Sequence, residues 1–176
     1  MRLDGEALRD ALLAVSGRLN PAQGGPPIFP ELPDELTRLS NKGAVWPVSD
    51  QRLDRERRSL YVFVRRNLRY PFFEAFDRPD TNASCPRRAV TTIAPQALTL
   101  LNSRLANDAA RDFAARIALE AGPDRDSQVD LAYQIAFARK PDDDERRTAR
   151  TYFEQGGAVR RFCLALLNAN EFLYVE

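Results

Sequence analysis

The spacing of apolar residues predicts a helix at the start of the chain. Its apolar face comprises Leu3, Leu8, Leu12 and Val15, and its outer face comprises Glu6, Arg9 and Asp10. Positions three and four residues apart share one side of a helix, so the first set would face a core and the second would face solvent. Asp4 is suited to cap the N-terminus and Gly17 to end the helix, which gives a predicted helix over 4–16.

Proline and glycine dominate the next part of the chain. Within residues 17–56 they stand at positions 21, 24, 25, 26, 27, 30, 33, 43 and 47. This stretch, named here the strap, is therefore predicted to be irregular apart from a short helix near 34–39. We interpret it as a covering segment, and the alternative is a functional excursion. Its apolar anchors on the core would be Ile28, Phe29, Leu32 and Trp46.

Residues 59–68 fit two interpretations. The β-branched Val62 and Val64 suggest a strand, whereas apolar residues three and four positions apart suggest a helix. We predict a helix that ends before Pro71, because the residue before a proline disfavours helical geometry. The residues that this helix would bury are Tyr61, Val64 and Leu68.

Helical spacing then continues to the end of the chain. The predicted helices span 95–102, 104–121, 127–138, 143–155 and 158–170, with Leu98 and Leu101 buried in the first of them. Their predicted N-caps are Ser103, then Asp126 or Ser127, then Asp142 or Asp143. The sequence therefore predicts a single all-α domain over 1–176, an irregular helical bundle with a long Pro/Gly-rich strap.

Composition removes several classes of function. The 176 residues include no histidine and two cysteines, and the net charge is +1. Without histidine the chain offers neither a Cys/His zinc site nor a haem attachment motif, so we expect no metal and no cofactor in it. The near-neutral charge gives no overall attraction to nucleic acid. No apolar run approaches a membrane span, and no signal peptide is present in this sequence.

A polar segment at 77–92, named here the polar loop, is the candidate binding site. Polar residues crowded between two apolar elements are typical of a functional loop. The candidate binding residues are Asp77, Asp80, Asn82, Ser84, Cys85, Arg87, Arg88, Gln96 and Asn102. None is assigned a catalytic role. Asp80 and Asn82 predict local hydrogen bonding, and we expect Arg87 or Arg88 to pair with Asp77 or Asp80.

Three stretches carry a resemblance to a known family. DRPDTNASCPRRAVTTIAPQALTLLN (77–102), RRSLYVFVRRN (57–67) and LLNANEFLYV (166–175) resemble the first planctomycete-specific domain, domain of unknown function 1553. The segment that begins RLDGEALRD at Arg2 is also similar to that family. The chain departs from the pattern at Arg104, where the family often has proline.

The resemblance implies a setting rather than a reaction, because no activity is established for the family. Such domains usually form the C-terminal part of larger exported bacterial proteins, so the chain would be such a fragment or an unusually short member, periplasmic or extracellular. The implied partner is a cytochrome c-type or companion domain of the parent protein. We therefore expect a non-catalytic interaction or scaffold domain. The alternative is an enzyme that acts on an extracellular glycan-like substrate through residues 77–102.

Export would also permit a disulfide bond between the two cysteines. A Cys85–Cys163 bond would tie the polar loop to the last helix. The alternative is that Cys163 packs in the core as a small apolar residue. The nearby arginines could activate the Cys85 thiol, but the sequence offers no histidine base for such a nucleophile.

Overall fold

The fold is all-α, as the apolar spacing predicts. The computed structural model describes residues 1–33, 36, 46–66, 68–80, 82, 84, 85, 91 and 94–175. Within these ranges the chain forms nine α-helices and, apart from isolated bridges, no strand. The helices are α1 Gly5–Val15, α2 Arg52–Arg55, α3 Pro71–Ala75, α4 Ala94–Asn102, α5 Arg104–Ala121, α6 Arg125–Phe137, α7 Asp143–Glu154, α8 Val159–Leu167 and α9 Asn170–Leu173.

The first helix follows the prediction except at one residue. Asp4 caps it by accepting a hydrogen bond from the Ala7 amide at 2.8 Å, and Leu8 and Leu12 are buried. Arg9, however, was expected on the solvent side and is only 2% exposed. Its guanidinium donates to backbone carbonyls of Arg55 and Arg57, so α1 is covered on that side by the chain around α2.

The strap covers the core as predicted where the structure describes it. Ile28, Leu32 and Trp46 are buried, and the Trp46 indole N–H donates to the carbonyl of Pro30 at 2.7 Å. Trp46 and Phe29 contact each other edge to face, with ring centroids 5.3 Å apart. The helix predicted near 34–39 lies outside the described residues, apart from Leu36.

The helix predicted at 59–68 is wrong. A single 3₁₀ turn, Ser59–Tyr61, is followed by extended chain. The Ile28 amide donates to the carbonyl of Tyr61, and the Phe63 amide donates to the carbonyl of Ile28. These bonds to the strap replace the bonds of a helix. Accordingly Val62 is buried and Val64, expected inside, is 45% exposed.

The second half is a bundle around α5, which packs most extensively on α8 and also contacts α1 and α6. Ser103 caps α5, and Asp142 forms a capping box with Glu145 at the start of α7, as predicted. The cap of α6 is Asp124 rather than Asp126 or Ser127. Its carboxylate accepts from the amide and the hydroxyl of Ser127, so the helix begins two residues earlier than predicted.

Helix α4 forms where it was predicted but presents the other face to the core. Leu98 and Leu101 are 55% and 45% exposed, whereas Gln96 and Leu100 are buried. The Gln96 side-chain oxygen accepts a hydrogen bond from Arg2 at 2.9 Å. A buried guanidinium needs polar partners, so the amide turns inward and the two leucines turn outward.

The two ends of the chain are joined. The Leu3 amide donates to the carbonyl of Leu173, and the Val175 amide donates to the carbonyl of Met1. The last predicted helix ends at Leu167 and is followed by the short α9. In this segment Phe172 is buried, whereas Tyr174, expected to be partly buried, remains 37% exposed.

Removal of the residues after Asn170 should destabilise the domain by about 3–5 kcal/mol, the usual loss when one large core aromatic is removed. The truncation deletes the buried Phe172 and the backbone bonds that hold the N-terminus. Urea titration followed by circular dichroism measures the change. Phe172→Ala in the full chain isolates the aromatic contribution, and an unchanged melting temperature for the truncation would refute the proposed anchoring.

Candidate functional site

The polar loop begins at a residue with unusual backbone geometry. Asp77 has φ of 60°, in the left-handed region that glycine usually occupies. The Asp77 amide donates to the carbonyl of Glu74, and the Arg78 amide donates to the carbonyl of Phe73. This pair of bonds is the Schellman motif that ends α3. A non-glycine residue here indicates that the carboxylate is needed for contacts that glycine could not make.

Those contacts form a buried cluster around Arg2. The Arg2 guanidinium donates to Asp77 at 2.7 Å and to Gln96 at 2.9 Å, and also bonds to the carbonyl of Thr91. Asp77 further accepts the amide and hydroxyl hydrogens of Thr91, each at 2.8 Å. The cluster therefore joins the N-terminal segment, the end of α3, the polar loop and α4.

Electrostatics favour the ionised form of Asp77. Burial acts to raise the pKa of Asp77, but the hydrogen bonds from Thr91 and Arg2 outweigh it and lower the pKa below its usual range. The Arg2 side chain is only 4% exposed, and this carboxylate is its counter-ion. The arrangement ties Thr91 to Asp77 and occupies both carboxylate oxygens with hydrogen bonds.

The other predicted site residues are dispersed. Asp80 accepts the Asn82 amide at 2.8 Å and pairs with Arg69 at 2.7 Å, which bears out the predicted local bonding. Asn82, Ser84 and Cys85 are exposed. Arg87 and Arg88 lie outside the described residues, so their predicted pairing remains a prediction. Asn102 lines a separate cleft, described below.

The predicted disulfide is not present. Cys85 is exposed, whereas Cys163 is fully buried on α8, and no bond joins them. Burial raises the pKa of the Cys163 thiol to about 12, so that thiol stays protonated and packs as an apolar residue. The alternative considered from the sequence, a small core residue, therefore describes Cys163.

A cleft of about 740 Å³, the size of many ligand sites, lies beside α4. Its walls come from the strap at Pro30 to Pro33, from α2, from the end of α4 and from the first turns of α5. The described charged residues in its lining are Arg9, Arg18, Arg52, Arg55, Arg104, Arg111, Glu31, Glu56 and Asp108. We name this the arginine cleft. Asp77, Asp80 and Gln96 do not line it.

Arg9 gives the arginine cleft a buried cation. Its nitrogens donate to the Ser59 hydroxyl at 3.1 Å and to the Arg57 carbonyl at 3.0 Å, and the Nε atom has no hydrogen-bond partner among the described residues. The nearest carboxylate oxygen among the described residues belongs to Asp10 and is 3.7 Å away. Burial lowers the pKa of Arg9 and raises the pKa of Tyr70 beside it.

Comparison with known proteins gives one match. A family model described as PSD1, protein of unknown function (DUF1553), matches residues 1–153. The chain belongs to the DUF1553 family. The match includes the polar loop and the arginine cleft, and the closing stretch 166–175 lies beyond it. No curated protein and no solved structure matches the chain.

The DUF1553 chain shows few of the arrangements that usually identify chemistry. Its described residues include no group of three His, Cys, Asp or Glu side chains that could hold a metal ion. No helix within the described ranges is long and apolar enough to cross a membrane. The residues that sequence reasoning missed are arginines, namely Arg2, Arg9 and Arg57. The burial of Arg9 could have been predicted from spacing. Arg9 is four residues from Gly5 and four from Leu13, so the three share one face of the helix, and Gly5 and Leu13 are buried.

Asp77→Asn should lower the free energy of unfolding by about 3 kcal/mol, the scale of a broken buried ion pair. Asparagine tolerates the left-handed conformation, so the change removes the charge while keeping the backbone. Denaturant titration at neutral pH measures the loss. In the Arg2→Met background, Asp77→Asn should lower the free energy of unfolding by clearly less. An equal loss in both backgrounds would contradict the proposed interaction between Asp77 and Arg2.

The same carboxylate predicts a pH dependence. The folded-state pKa of Asp77 is lowered, so its contribution is fully present above the unfolded value, about 3.9, and is lost as pH falls through the folded value. The stability difference between wild type and Asp77→Asn should therefore shrink on acidification below about pH 4. A difference that stays constant down to the lowest pH tolerated by the fold would show that the charge is not responsible.

A thiol reagent should label the native protein at Cys85 and not at Cys163, because only the first is exposed. Intact mass after brief maleimide treatment, followed by peptide mapping, measures the sites. Treatment in denaturant, where both residues should react, provides the control. Native labelling of Cys163 at a comparable rate would contradict its burial.

Proposed function

We propose that this chain is a non-catalytic interaction or scaffold domain that docks on another domain of an exported multidomain protein. The observation that carries the proposal is the outer face of α4. Ala94, Ala97, Leu98 and Leu101 are all exposed on that helix. Their spacing of i, i+3, i+4 and i+7 forms one continuous apolar stripe, the pattern by which a helix packs on a partner.

The leucine stripe, defined by these four residues, points outward for a structural reason. Gln96 and Leu100 occupy the inner face of α4, and Gln96 is held there by Arg2. The fold therefore fixes the rotation of the helix and keeps both leucines in solvent. The two leucines are already about half buried, so a partner that covered them would gain about 1 kcal/mol for each.

The proposed partner is the cytochrome c-type or companion domain that the family resemblance implies, in a periplasmic or extracellular setting and with this chain at the C-terminal end of the parent protein. Family membership supports the association only at the level of a domain of unknown function. A glycan-acting enzyme is the second candidate, and it would require the polar loop to line a cavity. Among the described residues of 77–102, those that line the arginine cleft come from the end of α4, namely Leu98, Thr99 and Asn102. We therefore favour docking.

The double substitution Leu98→Ser and Leu101→Ser should weaken binding to the separately expressed companion and cytochrome-bearing domains by about tenfold or more. Both side chains are exposed, so the melting temperature should change little. Isothermal titration calorimetry with each domain measures the affinity. Leu119→Ser is the matched control, because Leu119 is 86% exposed on α5 and lies outside the stripe. Equal affinities for wild type and the double variant would overturn the proposal.

A further inference from the structure

The arginine cleft adjoins the leucine stripe, and Leu98 belongs to both. A segment that lay along the stripe would therefore reach the cleft without a gap. The charges it would meet there are unbalanced. The described lining contains six arginines and three carboxylates, a surplus of three positive charges. Two carboxylates just outside the lining, Asp112 beside Arg18 and Arg52 and Asp10 beside Arg9, reduce the surplus to one.

Several of these arginines are already paired at the rim. Arg104 contacts Glu31 at 3.1 Å and Asp108 at 3.6 Å, and its side chain is 71% exposed. Arg55 lies 3.6 Å from the same Glu31. One carboxylate thus serves two guanidinium groups at distances longer than a strong hydrogen bond. An additional carboxylate could be accommodated there without displacing the existing pairs.

The inner wall adds a buried cation whose counter-ion is not hydrogen-bonded to it. Arg9 is 2% exposed, donates to neutral oxygens and lies 3.7 Å from the carboxylate of Asp10, and its Nε atom has no hydrogen-bond partner among the described residues. A buried cation without a bonded counter-ion is costly, and an anion held nearby lowers that cost. The first turn of α5, at Ser103 to Leu105, also lines the cleft, and the positive end of a helix dipole favours an anion in the same place.

We propose that the arginine cleft receives the acidic side chains of a peptide segment from the docking partner, whose apolar side chains cover Leu98 and Leu101. This inference rests on the proposed docking function and specifies the chemistry of the partner. A peptide fits better than a glycan. A glycan has no apolar side chains to cover Leu98 and Leu101, and the aromatic residues of the cleft, Tyr70 and Phe72, are only 8% and 5% exposed and offer little face for a sugar to stack on. The exposed leucines suit apolar side chains instead.

The probe is a short fluorescein-labelled peptide of alternating Glu and Leu, and the matched peptide carries Gln in place of Glu. Fluorescence anisotropy should show tighter binding of the Glu peptide by about tenfold or more, with affinity falling as salt is raised. Equal binding of the two peptides would overturn the acidic specificity and leave the docking function standing.

Arg104→Glu is the variant best suited to the test. It reverses a charge at the rim and places a carboxylate in the first turn of α5, where an acidic residue is favourable, so the fold should persist. Binding of the Glu peptide should weaken by about tenfold or more. Arg147→Glu is the control, since its side chain is 72% exposed and also pairs with an aspartate on its own helix. It should leave binding unchanged.

The companion domain provides a second measurement, which separates the two hypotheses. If that domain binds and its affinity falls with Arg104→Glu but not with Arg147→Glu, the acidic segment is supported. If the double variant Leu98→Ser and Leu101→Ser abolishes binding while Arg104→Glu has no effect, the docking proposal is supported and the proposal of an acidic segment in the cleft is wrong. If polygalacturonate binds and the Glu peptide does not, the peptide hypothesis is wrong and the ligand of the cleft is an anionic glycan.

Discussion

Buried arginines that bind backbone carbonyls hold the irregular half of this domain together. The described part of the strap before α2 has no regular helix or strand, so its buried carbonyl groups need other hydrogen-bond partners. Arg57 donates to the carbonyls of Gly24 and Pro26 and stacks on Tyr61, and Arg9 binds the carbonyls around α2. A guanidinium offers five donors in a fixed plane, whereas lysine offers one point charge. That difference gives these arginines a structural role that lysines could not take over.

Contacts between distant parts of the chain also separate the elements that the sequence predicts from those that it does not. The helices from Ser103 onward have local signals, such as the Asp142 capping box and glycine at the ends, and their predicted positions are confirmed within a few residues. Residues 59–68 have no such local determinant. Their conformation depends on Ile28 of the strap, thirty or more positions away, and a distant backbone contact outweighs helical spacing.

The candidate site shows the same division. The polar loop stays a prediction as a binding site. Asp77 and Gln96 do meet, but the residue that joins them is Arg2, which is 75 positions from Asp77 in sequence. Spacing cannot reveal such a partner. Because Arg2 draws Gln96 inward, it also exposes Leu98 and Leu101, which helical spacing alone places in the core. The failed prediction for α4 and the proposed docking surface therefore have one cause.

Arg2 and Arg9 place different demands on the molecule. Arg2 has a carboxylate within direct hydrogen-bond distance, which neutralises its charge inside the domain. Arg9 has neutral oxygens and a carboxylate 3.7 Å away, and it lines a cleft rich in further arginines. If both arginines served only to make the fold rigid, Arg9 could also have had a hydrogen-bonded carboxylate, as Arg2 has. The incomplete neutralisation of Arg9, next to an apolar stripe held outward by Arg2, argues that the second position has a partner beyond this domain.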